Sequence, residues 1–152
     1  MRITILAVGK IRHGIFSQLY EHYASRLRWE VILHEIEPLS QKNPHQRSKD
    51  EAIRLLALVP DKAQIITLDE SGKVISSREL ASWMGRQIEE GIKDICLIIG
   101  GAQGLESSIL LKSHLIIALG RATWPHLLVR GMIAEQLYRI QQILSGHPYH
   151  KD

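Results

Sequence analysis

The residues best suited to handling a proton lie near the carboxyl terminus, in two short segments. Residues 124–126 are Trp-Pro-His, and residues 147–150 are His-Pro-Tyr-His. His126 is predicted to begin a helix, where the positive end of the helix dipole disfavours an imidazolium, so a neutral ring can accept a hydrogen bond. The imidazole and phenol groups of the terminal segment suit proton transfer or contact with RNA. His126, Tyr149 and His150 are therefore candidate functional residues.

Metal and disulfide chemistry have little support in the sequence. His147 and His150 are three residues apart, but neither a nearby cysteine nor a further histidine completes a ligand set. The single cysteine, Cys96, lies within an apolar run and has no disulfide partner. These features predict no metal site, and a buried thiol in a reducing cytosol.

A glycine-rich segment at residues 98–106, Ile-Ile-Gly-Gly-Ala-Gln-Gly-Leu-Glu, follows an apolar run and is a candidate ligand loop. Its spacing matches neither the dinucleotide-binding fingerprint nor a P-loop. Residues 98–108 contain no basic side chain, and Glu106 would repel a phosphate. The loop therefore favours a ligand with few or no phosphates. The alternative is that the glycines only make a tight turn between a strand and a helix.

Segments typical of strands and of helices alternate along the chain. The apolar patterns predict strands at 2–8, 30–36, 64–68, 94–99 and 114–119, and helices at 14–27, 48–59, 76–90, 105–112 and 126–145. Capping boxes are predicted at Ser48 with Glu51 and at Ser76 with Glu79, and Asp-Glu-Ser-Gly-Lys at 69–73 is predicted to be a turn.

This alternation indicates one α/β domain over residues 1–152, with a mostly parallel sheet and helices on both faces. Ligands of such sheets bind at the carboxyl ends of the strands. If the strands concerned are neighbours, the loops 69–73, 100–104 and 120–125 form one pocket.

The composition sets broad limits on function. The 152 residues carry a formal net charge of +3 and include 45% hydrophobic residues, and the sequence pI is about 9.1. No apolar run approaches the ~20 residues that span a bilayer. The balance is ordinary for a globular protein in the cytoplasm and compatible with, but not proof of, a polyanionic partner.

Six segments together resemble a known family over nearly the whole chain. They are ITILAVGK at the start, TLDESGK at 67–73, LIIGGAQGL at 97–105, TWPHLLVR at 123–130, EQLYR at 135–139 and HPYH at 147–150. Their order and spacing resemble those of the RlmH-type 23S rRNA (pseudouridine-N3)-methyltransferases. This family is a branch of the SPOUT, or trefoil-knotted, methyltransferases.

The resemblance implies a carboxyl-terminal trefoil knot that binds S-adenosylmethionine, the methyl donor. The positions implied to surround the donor are Leu68, Gly100, Gly101, Gly120, Arg121, Ala122, Thr123, Trp124 and Pro125. The donor carries no phosphate, which agrees with the absence of basic residues from the glycine loop. Trp124 departs from the smaller apolar side chain that relatives usually have there, and this change is expected to alter the lining without removing backbone contacts.

The resemblance also implies a homodimer in which the tail of one subunit completes the pocket of the other. The implied substrate is a pseudouridine of 23S rRNA in the assembled ribosome, methylated at N3, without a metal or a covalent enzyme intermediate. His126, Tyr149 and His150 are then expected to orient the uracil ring and handle its proton. Arg130 and Lys151 are expected to hold RNA phosphate or developing negative charge.

Two other functions remain open at this stage. One is a non-catalytic module that binds the ribosome or RNA and keeps the fold without the donor pocket. The other is a SPOUT methyltransferase with a different RNA specificity. The glycine loop and the 120–125 segment argue against the first, and the HPYH tail argues against the second.

Overall fold

Five strands and five helices alternate in the described part of the chain. The structure is a computed structural model that describes residues 1–40, 43–101 and 103–150. In chain order the elements are β1 (Arg2–Val8), α1 (Ile15–Ala24), β2 (Glu30–Ile36), α2 (Pro44–Ala57), β3 (Gln64–Val74), α3 (Ser77–Glu89), β4 (Asp94–Ile99), α4 (Ser107–Lys112), β5 (Leu115–Ala118) and α5 (His126–Leu144). The predicted order of elements is confirmed.

The strands form one sheet with the order β2-β1-β4-β3-β5. Every strand pair in it is parallel. The expected mostly parallel sheet is therefore confirmed, and the carboxyl ends of β4, β3 and β5 lie side by side. This arrangement brings the loops that follow these three strands to one edge of the sheet.

Helices cover both faces of the sheet, as expected. Ile3, Ile5 and Ala7 of β1 pack in one apolar cluster with side chains of α3 and α5, and α1 packs on α5. Leu6 and Val8 of the same strand pack in the opposite cluster with α2 and α4. Because successive side chains of a strand point to opposite faces, a strand buried on both faces is a continuous apolar run.

Helix α2 begins four residues earlier than the sequence predicted. The side-chain oxygen of Asn43 accepts hydrogen bonds from the backbone N–H groups of His45 (3.0 Å) and Gln46 (3.4 Å), and Pro44 occupies the first helical position. Proline is tolerated at this position because the N–H group that it lacks would have no carbonyl partner within the helix. Ser48 and Glu51 therefore lie inside the helix, and the predicted capping box at these residues is wrong.

Strand β3 extends past the predicted turn. Leu68 and Lys73 both pair with Ile117 of β5, so residues 69–72 bulge out while pairing resumes beyond them. The carboxylate of Asp69 accepts hydrogen bonds from the N–H (2.9 Å) and the hydroxyl (2.5 Å) of Ser71 within the bulge. A Cβ built on Gly72 would lie 2.6 Å from the carbonyl carbon of Ile117. The bulge thus depends on a glycine at this position.

The predicted bounds of β1, β2 and β4 are confirmed, and the other boundaries differ by a few residues from those predicted. The Ser76–Glu79 capping box is present at α3, whereas α1 ends at Ala24 and α4 begins at Ser107 after the capping residue Glu106. Among the described residues, no helix is long and apolar enough to cross a membrane.

Candidate active site at the carboxyl edge of the sheet

A cleft of about 710 Å³ lies where β3, β4 and β5 end. The loops 69–73, 100–104 and 120–125 all contribute to its walls, so the predicted meeting of these loops is confirmed. The structure brings together His126 and the nine positions expected at the donor, which are Leu68, Gly100, Gly101, Gly120, Arg121, Ala122, Thr123, Trp124 and Pro125.

The glycine loop forms one wall with bare backbone. A Cβ on Gly100 would lie 2.8 Å from Cγ of Leu105, and one on Gly101 would lie 3.1 Å from Cγ1 of Val8. The N–H of Gly104 donates to the carbonyl of Gly101 across 3.1 Å and closes the loop. The glycines therefore make a tight turn and also leave peptide groups open to a ligand.

The charge next to this wall is negative. The carboxylate of Glu106 caps α4 by accepting from the N–H of Ser108 across 2.7 Å, and the hydrogen bonds from Ser108 lower the pKa of that carboxyl. Asp69 and Glu70 line the cleft itself, together with the cationic Arg121. This distribution suits an uncharged or cationic ligand better than a phosphate.

The loop between β5 and α5 forms the outer rim. Gly120 takes a positive φ of 93°, and the residues from Arg121 to Pro125 are exposed. The indole N–H of Trp124 donates to the carbonyl of Leu119 across 2.9 Å, which ties the side chain to its own loop. The residue remains 43% exposed, so it offers apolar surface at the mouth of the cleft.

His126 is the first residue of α5 and is half-buried in the cleft. Burial and, to a lesser extent, the nearby Arg130 lower the pKa of its imidazole. The expectation of a neutral ring agrees with this direction, although burial and Arg130 are the causes found here. A Cβ built on Gly9 would lie 3.2 Å from Nε2 of His126, so the ring rests against the turn after β1.

Arg130 does not point towards solvent. Its side chain is 0% exposed and pairs with Glu35 across 3.0 Å, and its other terminal nitrogen donates to the carbonyls of Val8 and Gly9, each at 2.7 Å. Burial lowers the pKa of the guanidinium while Glu35 opposes that change. In this structure the Arg130 side chain is buried and its hydrogen bonds stay inside the protein, and its expected contact with RNA phosphate or with developing negative charge stays a prediction.

Tyr149 and His150 pack on the middle of α5 rather than near His126. The Tyr149 hydroxyl donates to Glu135 across 3.2 Å, and burial beside that carboxylate raises the pKa of Tyr149 to about 12. Nδ1 of His150 lies 3.2 Å from a guanidinium nitrogen of Arg139. Nine residues of helix separate His126 from Glu135, which is about 14 Å along the axis. Lys151 lies outside the described residues.

Two residues beside the cleft were missed in the sequence. Gly9 carries a positive φ of 91° beside His126, and Glu35 holds Arg130. A glycine directly after a buried strand is a recognisable signal for a special backbone conformation. Glu35 gives no such signal, because one acidic residue in an alternating strand is ordinarily a solvated side chain.

Comparison with known proteins gives a consistent result. A family model described as "Predicted SPOUT methyltransferase" matches residues 1–150. The chain is 43% identical over 151 residues to a Rhodospirillum centenum protein named Ribosomal RNA large subunit methyltransferase H, with 99% of each chain covered. It is 40% identical over 161 residues to a Rhodopseudomonas palustris protein of the same name, again with 99% of each covered.

Solved structures resemble the fold at low sequence identity. A probable methyltransferase from Bordetella pertussis Tohama I superposes with a TM-score of 0.57 at 14% identity, covering 91% of this chain and 95% of that one. The SpoU methyltransferase AviRb from Streptomyces viridochromogenes gives a TM-score of 0.50 at 12% identity, covering 96% of this chain and 61% of the other. These likenesses show the α/β fold.

Proposed function

The chain belongs to the SPOUT methyltransferase family and, within it, to the ribosomal RNA large subunit methyltransferases H, and on that premise we propose that it methylates N3 of a pseudouridine in 23S rRNA. The methyl donor in this proposal is S-adenosylmethionine, and the substrate is the assembled ribosome in the cytoplasm.

The observation that carries the proposal is the cleft in which three strand-end loops meet beside His126. Its volume of about 710 Å³ lies within the usual range for pockets that hold a small molecule. The bare backbone at Gly100 and Gly101 can pair with the edge of an adenine, and Leu68 and Ile117 supply apolar surface. The acidic Asp69 and Glu70 suit the positive charge of the donor.

The reaction requires the protein to position the donor and the substrate and to provide one proton acceptor. When bound, S-adenosylmethionine supplies an activated methyl group on a sulfonium. An imide nitrogen becomes a good nucleophile only when its proton leaves. His126 can accept that proton from N3 in its neutral form, which burial and Arg130 favour.

We further propose that the protein acts as a homodimer and that the tail of one subunit completes the cleft of the other. The support for this arrangement is the distance between the tail and His126 within one chain. Within one chain Tyr149 and His150 pack near Glu135 and Arg139, well away from His126. Tyr149 and His150 are then the residues that orient the uracil ring from the partner subunit. The carboxyl-terminal part is proposed to form a trefoil knot because the chain belongs to the SPOUT methyltransferase family.

RNA contact in this proposal comes from the exposed segment after β1 together with the second subunit. Lys10, Arg12 and His13 are exposed there, and a dimer doubles the formal charge of +3. This is a modest positive surface, so docking to an assembled ribosome is expected to supply part of the affinity.

The experiment that tests the proposal has two arms. Titration calorimetry is expected to detect binding of S-adenosylmethionine and S-adenosylhomocysteine but not of ATP, whose phosphates meet the acidic lining. Incubation with methyl-labelled donor is expected to label 50S subunits or 70S ribosomes from a strain lacking the protein, and to leave 30S subunits unlabelled. Failure to bind the donor would overturn the cofactor assignment. Donor binding without transfer to any ribosomal RNA would instead indicate a binding module or another substrate.

A further inference from the structure

A buried ion pair joins the ends of β1 and β2 to the first turns of α5. Arg130 of α5 is 0% exposed, and Glu35 of β2 is 17% exposed, with 3.0 Å between the paired atoms. A buried ion pair adds little to stability compared with well-packed apolar side chains. The role of this pair is therefore sought in its contacts with the surrounding backbone rather than in its contribution to stability.

Those contacts converge on the turn that follows β1. Arg130 donates to the carbonyls of Val8 and Gly9, and the same Glu35 oxygen that pairs with Arg130 accepts from the N–H of Ile11 across 3.0 Å. The N–H of Gly9 donates to the carbonyl of Ile36 across 2.8 Å. The turn is thus held by a side chain of α5, a side chain of β2 and the backbone of β2.

This turn is also the surface against which the His126 ring packs. Gly9 adopts a positive φ of 91°, and a Cβ there would reach to 3.2 Å from Nε2 of His126 and 3.7 Å from Nη2 of Arg130. His126 and Arg130 are four residues apart and so lie on the same side of the helix. Displacing the turn would therefore remove one wall of the imidazole site.

We propose that Glu35 is a positioning residue that acts through Arg130: it fixes the Gly9 turn and thereby sets the orientation and charge state of the His126 imidazole. The inference deepens the proposed function and rests on it for the role of His126 in methyl transfer. Glu35 itself does not line the cleft.

The charges around His126 allow a test of the inference through the direction in which the imidazole pKa shifts. Arg130 faces it from its own helix, with Glu35 of β2 behind the guanidinium. Asp69 and Glu70 from β3 and Arg121 from the rim line the same cleft. Loss of the Glu35 charge leaves Arg130 less compensated and disfavours the imidazolium further, whereas loss of the Arg130 charge favours it. A role in packing alone gives no reason for opposite shifts.

The experiment follows the His126 ring by NMR in protein with labelled histidine, with Nε2 and Cε1 signals assigned from the spectrum of a His126→Gln variant. Glu35→Gln is expected to lower the imidazole pKa, and Arg130→Met is expected to raise it. Glu37→Gln is the matched control, because Glu37 lies two residues along the chain in an exposed pair with Lys10. That control is expected to leave the titration unchanged, since water and salt screen its charge.

The kinetic arm separates positioning from general loss of structure. Glu35→Gln is expected to reduce kcat at least tenfold while the Kd for S-adenosylmethionine stays within about twofold, with Glu35→Asp recovering part of the loss. A His126 titration and kcat equal to those of the unmodified protein in folded Glu35→Gln would overturn the proposal. Shifts of the same sign in Glu35→Gln and Arg130→Met would overturn it as well.

The test remains decisive if Glu35→Gln does not fold or if the unmodified protein transfers no methyl group. If Glu35→Gln does not fold, Glu35→Asp takes its place: a reduced kcat with a nearly retained His126 pKa supports the proposal, and an unchanged kcat overturns it. The titration requires neither donor nor RNA. If the unmodified protein transfers no methyl group, the proposed function fails, while the NMR arm still decides whether Glu35 controls His126.

Discussion

At the scale of single residues, the proposed mechanism depends on one half-buried imidazole and the groups that surround it. His126 stands at the start of α5 in the cleft, and burial and Arg130 both lower its pKa. A ring in this environment is neutral at physiological pH and available to accept a proton. Its tail counterpart Tyr149, with its pKa raised to about 12, remains a protonated phenol and acts as a hydrogen-bond donor.

The pH dependence of methyl transfer follows from the direction of the His126 shift. In the proposed mechanism the neutral ring is the active form, and the pKa of His126 lies below the ordinary histidine value of about 6.5. The single-turnover rate on 50S subunits is therefore expected to stay constant as the pH falls through about 6.5 and to decline only below it. A decline centred at or above that ordinary value contradicts the assignment. His126→Gln is expected to lose roughly 10²–10⁴-fold in rate and to keep its donor affinity.

Gly9 gives a second prediction at the same scale. Alanine at this position is strained by the positive φ of 91° and also contacts the His126 ring. Gly91→Ala is the matched control, because Gly91 has a φ of 79° and no atom within 4 Å of the added Cβ. Both variants are expected to unfold more easily by about 1–2 kcal/mol, measured in urea, but only Gly9→Ala is expected to lose transfer activity. Equal transfer activity in Gly9→Ala and Gly91→Ala would contradict the role proposed for Gly9.

At the scale of elements, the parallel order β4-β3-β5 creates the cleft because it places three loops at one edge. Apolar periodicity predicted every strand and the parallel sheet, and it predicted that the three loops would meet if these strands were neighbours. The strand order that makes them neighbours became known only from the structure. The start of α2 was not predicted correctly, because Asn43-Pro44 and Ser48 with Glu51 are both plausible caps and local pattern does not rank them.

The elements also show which features depend on distant contacts. The bulge in β3 contains residues typical of a turn, and only the backbone of β5 against Gly72 reveals that pairing continues. The burial of Arg130 was not predicted from the sequence, because its partners Glu35 and Val8 lie 95 and 122 residues away in the chain. Interactions of this range leave no local pattern.

Gly72 provides a prediction at the element scale. A methyl group at Gly72 would lie within 2.8 Å of backbone atoms of Ile116 and Ile117, so β3 and β5 must separate where the cleft is lined by Leu68 and Ile117. Gly72→Ala is expected to cost about 1–3 kcal/mol of stability and to weaken S-adenosylmethionine binding at least tenfold by calorimetry. In the control Gly85→Ala, the new methyl meets only the side chain of Leu144, at 3.2 Å, and donor affinity should be unchanged. Full donor affinity in Gly72→Ala would contradict the role of this strand pair.

At the scale of the whole molecule, the proposed mechanism requires a second subunit. The cleft lies at the amino end of α5, and the tail packs on the same helix near Glu135 and Arg139. One chain therefore does not bring Tyr149 and His150 to His126. In the proposed homodimer, the tail of each subunit reaches the cleft of the other.

Truncation after Gly146 tests this arrangement. The shortened protein is expected to bind S-adenosylmethionine normally and to lose methyl transfer. Mixed dimers of truncated and His126→Ala subunits are expected to regain activity, since the truncated subunit has an intact cleft and its partner has an intact tail. Comparing methyl transfer by the mixture with transfer by each variant alone shows whether the tail of one subunit serves the cleft of the other. No recovery in confirmed mixed dimers would mean that the tail serves its own chain, and full activity of the truncated protein would remove the tail from the mechanism.

The most direct test of the central claim is the identity of the nucleoside that the protein makes. Ribosomes from a strain lacking the protein are treated with the purified protein and S-adenosylmethionine, and the 23S rRNA is digested and analysed by mass spectrometry. We expect one new nucleoside, N3-methylpseudouridine, at a single position, and far slower formation of it with the His126→Gln variant. A methyl group on a ribose, on guanine or at several positions would contradict the central claim, as would the absence of any new methylated nucleoside.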